Sequence, residues 1–159
     1  MEQGHLSYLA QIMETAAAET GADCISLTLP CQTRSRVRVF ARGPTLPNTL
    51  DFVTVPAQDS LCQRVIRTGL PVQGHPRSGG TSHGRCGMMM AEGLTSYLGY
   101  PILDRNAFPV AAMSIMTHMP RIWSRADRNR LDRLVRLIET LDLLTDAIPK
   151  PILVGDSFG

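Results

Sequence analysis

A chain of 159 residues is long enough for one domain with its own core, and 43% apolar with 19% charged residues is an ordinary globular balance. The net charge is +2, from 16 basic and 14 acidic residues, so a nucleic-acid stripe is not expected, and disorder is expected only at the ends. No apolar run approaches the roughly 18 residues of a membrane span, and the first residues lack the layout of a signal peptide. The expected location is the cytoplasm, where Cys24, Cys31, Cys62 and Cys86 stay free thiols.

Leu6 to Thr20 reads as a helix: Leu9, Ile12, Met13, Ala16 and Ala17 recur at helical spacing, with Ser7 as a start and Gly21 as the left-handed residue after the end. Cys24 to Leu29 and Val37 to Ala41 read as strands joined by a hairpin loop. Gly43 to Asn48 is a turn region, and Phe52 to Val55 a short strand. Ser60 and Gln63 form a capping box for a short helix with Leu61, Cys62, Val65 and Ile66 on its apolar side, ended by Gly69. Pro71-Val72 begins an extended piece. Gln73 to Gly87, rich in glycine, is expected to be a loop, and Met88 to Leu94 a short helical turn.

Tyr97 to Leu103 and Val110 to Met116 form a hairpin around Asp104-Arg105-Asn106. Pro101 has no amide hydrogen, so it marks a bulge, an edge, or a point where the backbone leaves the ladder. Ala111, Ala112 and Ser114 leave space on the second strand. A last helix starts near Ser124 and sets Leu131, Leu134, Val135, Ile138, Leu141 and Leu144 on one face. Its arginines at 121, 125, 128, 130, 133 and 136 interleave with Asp127, Asp132 and Glu139, which is a solvated face. Strands grouped between terminal helices indicate an α+β fold with a mostly antiparallel sheet.

Five pieces in this order resemble a GAF domain, from about Leu6 to Leu144. They are Thr20-Gly21-Ala22-Asp23; Asp59 to Cys62 with Thr68 to Val72; Gly93 to Ile102; the small-residue strand Val110 to Met116; and Pro120 to Ser124 before the last helix. The resemblance implies a central antiparallel sheet, the first and last helices together on one face, a ligand pocket on the other, and dimerisation through those helices. It places a GAF domain at 1–147 and a C-terminal tail at 148–159. It also implies signalling by ligand binding to a separate kinase or regulator, with no nucleic acid or membrane as partner and no cofactor required.

The expected ligand-binding residues are Phe40, Phe52, Leu61, Cys62, Tyr100, Pro101 and Ile102. Free amides at the start of the short helix, in an apolar pocket, suit a small, weakly hydrated anion, and Tyr100-Pro101-Ile102 is similar to a piece of the nitrate-receptor GAF proteins. An alternative is a thiol-based redox enzyme or sensor using Cys86 and Cys62, similar to the free methionine sulfoxide reductases. That resemblance is incomplete: Phe52 stands where a further cysteine is expected, and the substrate carboxylates are replaced around Ser114 and Met116. A third set, His75, His83 and Cys86, gathers metal-ligating side chains in one loop, without a standard zinc spacing.

Overall fold

The computed structural model describes residues 3–31, 36–43, 51–56, 61–74 and 93–144. The elements are α1 (Gln3–Thr20), β1 (Cys24–Pro30), β2 (Arg36–Arg42), β3 (Val53–Pro56), α2 (Leu61–Thr68), β4 (Val72–Gly74), β5 (Ser96–Leu103), β6 (Pro109–Thr117) and α3 (Arg125–Leu141). The strands form one six-stranded sheet in the order β3-β2-β1-β6-β5-β4, antiparallel at every pairing. This is the expected α+β arrangement, with α1 and α3 on one face and α2 on the other.

Local chemistry explains the boundaries. α1 begins before Leu6, so Ser7 lies inside the helix and does not cap it. Gly21 (φ 69°) closes it, with the Ala22 amide reaching back to the Ala17 carbonyl, the geometry that glycine adopts without a Cβ clash. α3 starts on a capping box: the Asp127 amide donates to Ser124 Oγ, and the Ser124 amide donates to the Asp127 carboxylate. Its end is Asp142 in the left-handed conformation (φ 54°). The helix therefore stops at Leu141, which is 45% exposed and not on the inner face as expected; Leu143 and Leu144 beyond the stop return to the core.

The sheet sorts side chains by the alternation of a strand. In β1, Ile25, Leu27 and Leu29 point towards α1 and α3, where they join Leu9, Met13, Phe40, Leu98, Met113, Ile115, Leu134 and Ile138 in one apolar core. Each such buried side chain contributes about 1.5–3 kcal/mol. Clamps lock this layer: Arg42 donates to Glu14 of α1 through Nε (2.9 Å) and Nη2 (2.6 Å), and Arg121 pairs with Asp127 at 2.9 Å while stacking on Trp123.

β4 pairs with β5 from Gly74↔Tyr97 to Val72↔Gly99 only. Gln73 and Gly74, expected in the loop, are thus in the sheet, and Pro101 falls beyond the stretch that β4 covers. A register shift follows at Ile102/Leu103. Proline is tolerated there because its missing amide faces no partner strand among the described residues. The capping serine Ser60, the remainder of the expected loop, the helical turn at 88–92 and the tail lie outside the described residues.

Candidate functional site

On the α2 side, β1 presents Cys24, Ser26 and Thr28, β5 presents Tyr97, Gly99 and Pro101, and β6 presents Ala112, Ser114 and Met116. α2 packs over the β4, β5 and β6 part of this face with Leu61, Cys62 and Val65, all buried. Gly74 lets the helix approach: a Cβ there would lie 2.5 Å from Leu61 Cδ1 and 3.1 Å from Tyr97 Cβ. Gly99 does the same for Tyr97, whose ring lies over it. A Cβ at Gly99 would sit 2.8 Å from two ring carbons and also meet the phenol oxygen.

The phenol reaches a polar island in this layer. Ser114 Oγ donates to Tyr97 Oη at 2.6 Å, and Tyr97 Oη donates to Cys62 Sγ at 3.3 Å. Cys62 Sγ and Ser114 Oγ close the ring at 3.6 Å. Cys62 is 3% exposed and Ser114 0%. Directly across the β1–β6 pairing from Ser114 stands Ser26, also 0% exposed, whose Oγ has no hydrogen-bond partner among the described residues. Buried polar groups cost free energy unless satisfied, so four of them in one layer are not what core packing alone selects.

The sheet divides the residues expected to wall one pocket. Leu61 and Cys62 lie on the α2 side. Pro101 alternates to that side, opposite Ala112. Phe40 and Ile102 are buried on the other side, against the terminal helices, with Phe52 and Tyr100 packed on the same core. One wall therefore cannot hold the side chains of all seven. The physical reason is the two-residue period: neighbours in Tyr100-Pro101-Ile102 point to opposite faces, and Phe40 shares a face with its partner Leu27. Phe40 and Phe52 form a ring pair at 5.5 Å, and Arg38 stacks on Phe52. Burial raises the Tyr100 phenol above its usual value; Asp132 adds to the rise and Arg128 opposes it. Cys86, His75 and His83 lie outside the described residues. Among the described residues, no group of three or more His, Cys, Asp or Glu could hold a metal.

Ser26, Tyr97 and Gly99 are not among the residues expected to bind ligand, and Ser114 enters the sequence analysis only as a small residue and as a departure from the reductase carboxylates. Parity would have found them: Cys24, Ser26 and Thr28 are the polar alternates of a strand whose other side is Ile25, Leu27 and Leu29.

Residues 6–141 match the model of the GAF domain family. Among curated proteins none matches the chain. The fold is similar to the GAF domain of an Acinetobacter phosphoenolpyruvate-protein phosphotransferase (TM-score 0.72, 17% identity, covering 93% of this chain and 87% of that one). It is also similar to a type II free methionine-R-sulfoxide reductase from Thermoplasma acidophilum (0.71, 13%, 92% and 96%). A third similar structure is the NreA protein from Staphylococcus aureus, mutated in its nitrate binding site (0.59, 14%, 81% and 96%). At these identities the likeness is one of fold.

Proposed function

Because the chain belongs to the GAF domain family, whose members bind small molecules and act in signalling, we propose that it is a cytoplasmic sensor domain. It binds a small ligand on the α2 side of its sheet and passes its state to a separate partner protein. The observation that carries this reading is the polar island of Cys62, Tyr97 and Ser114 beside the unpartnered Ser26 hydroxyl. The layer under the terminal helices is predominantly apolar, with one polar atom of its own unpartnered among the described residues, Trp123 Nε1, carried by the segment before α3. No helix among the described residues is long and apolar enough to cross a membrane.

The signal leaves through α1 and α3, which share one core with the sheet and expose Tyr8, Leu137 and Leu141 for a second copy or a partner. A protein that remains monomeric at high concentration, with ligand and without, rules out the homodimer route. The ligand is sought by thermal shift with nitrate, nitrite, halides, cyclic nucleotides, free methionine sulfoxide and divalent metals, since binding to the folded state raises the melting temperature. A dose-dependent rise with one small anion supports an anion held at the start of α2.

A second reading, a thiol-based redox enzyme or sensor using Cys86 and Cys62, is favoured by the Tyr97 and Ser114 contacts at the Cys62 sulfur. Cys86→Ser separates the two: a sensor still binds its ligand, whereas a thiol enzyme loses turnover of free methionine sulfoxide.

A further inference from the structure

We propose that Ser26 is a ligand-contacting residue, and that the ligand is a small uncharged molecule with a hydrogen-bond donor beside an acceptor, of the amide, urea or alcohol class. The proposal rests on the reading of the α2 side as the ligand side.

The hydrogen-bond inventory argues for it. A serine hydroxyl has one proton and two lone pairs. Ser114 commits its proton to Tyr97, and Tyr97 commits its own to Cys62. Ser26, opposite Ser114, commits neither proton nor lone pairs to any described residue. This point of the layer therefore presents one free O–H, from Ser26, next to oxygen lone pairs of Ser26 and Ser114. A group that only accepts, such as nitrate or a carboxylate, can use the Ser26 proton but then faces the lone pairs of Ser114. A neutral group that accepts from Ser26 and donates to Ser114 satisfies both, without burying a charge. The cations of β2 do not alter this balance: Arg38 and Arg42 point to the opposite face, onto Phe52 and Glu14.

The state of the Ser26 hydroxyl in the unliganded fold can be read from stability. A buried hydroxyl without a partner weakens the unliganded fold, so Ser26→Ala raises the melting temperature, by roughly 3 °C for a domain of this size. A hydroxyl that holds a hydrogen bond in the unliganded fold would give the reverse.

The test uses the full chain, labelled with ¹⁵N and titrated with acetamide and urea as uncharged probes and with sodium nitrate and sodium formate as anionic ones, at matched ionic strength. Saturable amide shifts at Ser26, Cys62, Tyr97 and Ser114 are expected with acetamide or urea, and Ser26→Ala weakens that binding by about tenfold. Shifts at the same residues with the anions alone overturn the ligand class and leave the α2-side reading standing. No shift at these residues with any probe removes both. A Ser26→Ala protein that melts lower and binds acetamide unchanged overturns the contact.

Discussion

The two faces of the sheet are built from the same strands on different terms. β1 carries the contrast in seven residues: Ile25, Leu27 and Leu29 are fully buried under the terminal helices, while Cys24, Ser26 and Thr28, on the face that α2 shares, are also buried but bring a thiol and two hydroxyls. On the helix side, the buried charged groups are paired, as in Arg42–Glu14 and Arg121–Asp127, and the Trp123 indole N–H is unpartnered among the described residues. On the α2 side, hydroxyls and a phenol lie on the strands themselves, and the Ser26 hydroxyl is likewise unpartnered. A layer that exists to hold the fold can be optimised for packing, whereas a layer that must exchange its contacts with something else keeps costs that packing would remove.

The contrast can be broken most directly with Leu27→Ala. We expect a loss of about 3 kcal/mol in urea unfolding, from lost burial and a cavity that the terminal helices cannot close. Thr28→Val, one residue on but facing α2, should change stability by less than about 1 kcal/mol. Equal losses at the two positions would mean that the faces do not differ as described.

Gly99→Ala tests how tightly the α2 side is shaped by Tyr97. The new Cβ overlaps the tyrosine ring, so we expect a loss of about 2 kcal/mol. The loss should shrink when Tyr97→Leu is introduced with it; additive losses in that double-mutant cycle would show that the ring is not what Gly99 accommodates.

Asp127→Asn should cost about 1 kcal/mol through the α3 capping box. Burial pushes the Asp127 carboxyl up, but the Ser124 amide and hydroxyl and the Arg121 guanidinium outweigh it and hold the group below the usual aspartate range. A depressed folded-state value means that its stabilisation is fully present above the unfolded value, about 4, and is lost as the pH falls through the lower folded one. The gap in melting temperature between wild type and Asp127→Asn should therefore be constant at neutral pH and narrow only in acid. A gap that changes between pH 6 and 8 would refute the assignment.

The smallest effect is a gain. Ala107 holds φ 64° in the β5–β6 turn, so Ala107→Gly should stabilise by about 0.5–1 kcal/mol. It touches neither layer and should leave acetamide binding unchanged.

Much of the fold was legible because it rests on periodicity and punctuation. The terminal helices, Gly21 and Gly69 at positive φ, the Ser124 start and the hairpin around Asp104 are written in local sequence. Ser7 is no cap because α1 already runs through Gln3 to Leu6, a stretch with Gly4 whose composition does not announce a helix. Leu141 misled because the chain leaves the helix there through Asp142. The site was less legible for a different reason. Aromatic and apolar residues such as Phe40, Tyr100 and Ile102 attract attention as pocket walls, yet which face each occupies depends on a register between strands far apart in the chain. Leu27↔Phe40 and Ser26↔Ser114 are facts of pairing, visible in neither segment alone.

The short β4 has a consequence for how the protein behaves among its own copies. A half-covered strand ordinarily offers its outer edge to any extended segment that meets it, the usual beginning of aggregation. Past Gly99 that invitation is withdrawn: Pro101 has no hydrogen to give, and the Leu103 amide is already held by Glu139 of α3 at 3.1 Å. The proline at the centre of the Tyr-Pro-Ile segment thereby closes the uncovered part of β5 to growth, and a Pro101→Val protein should form thioflavin-positive aggregates sooner at equal concentration.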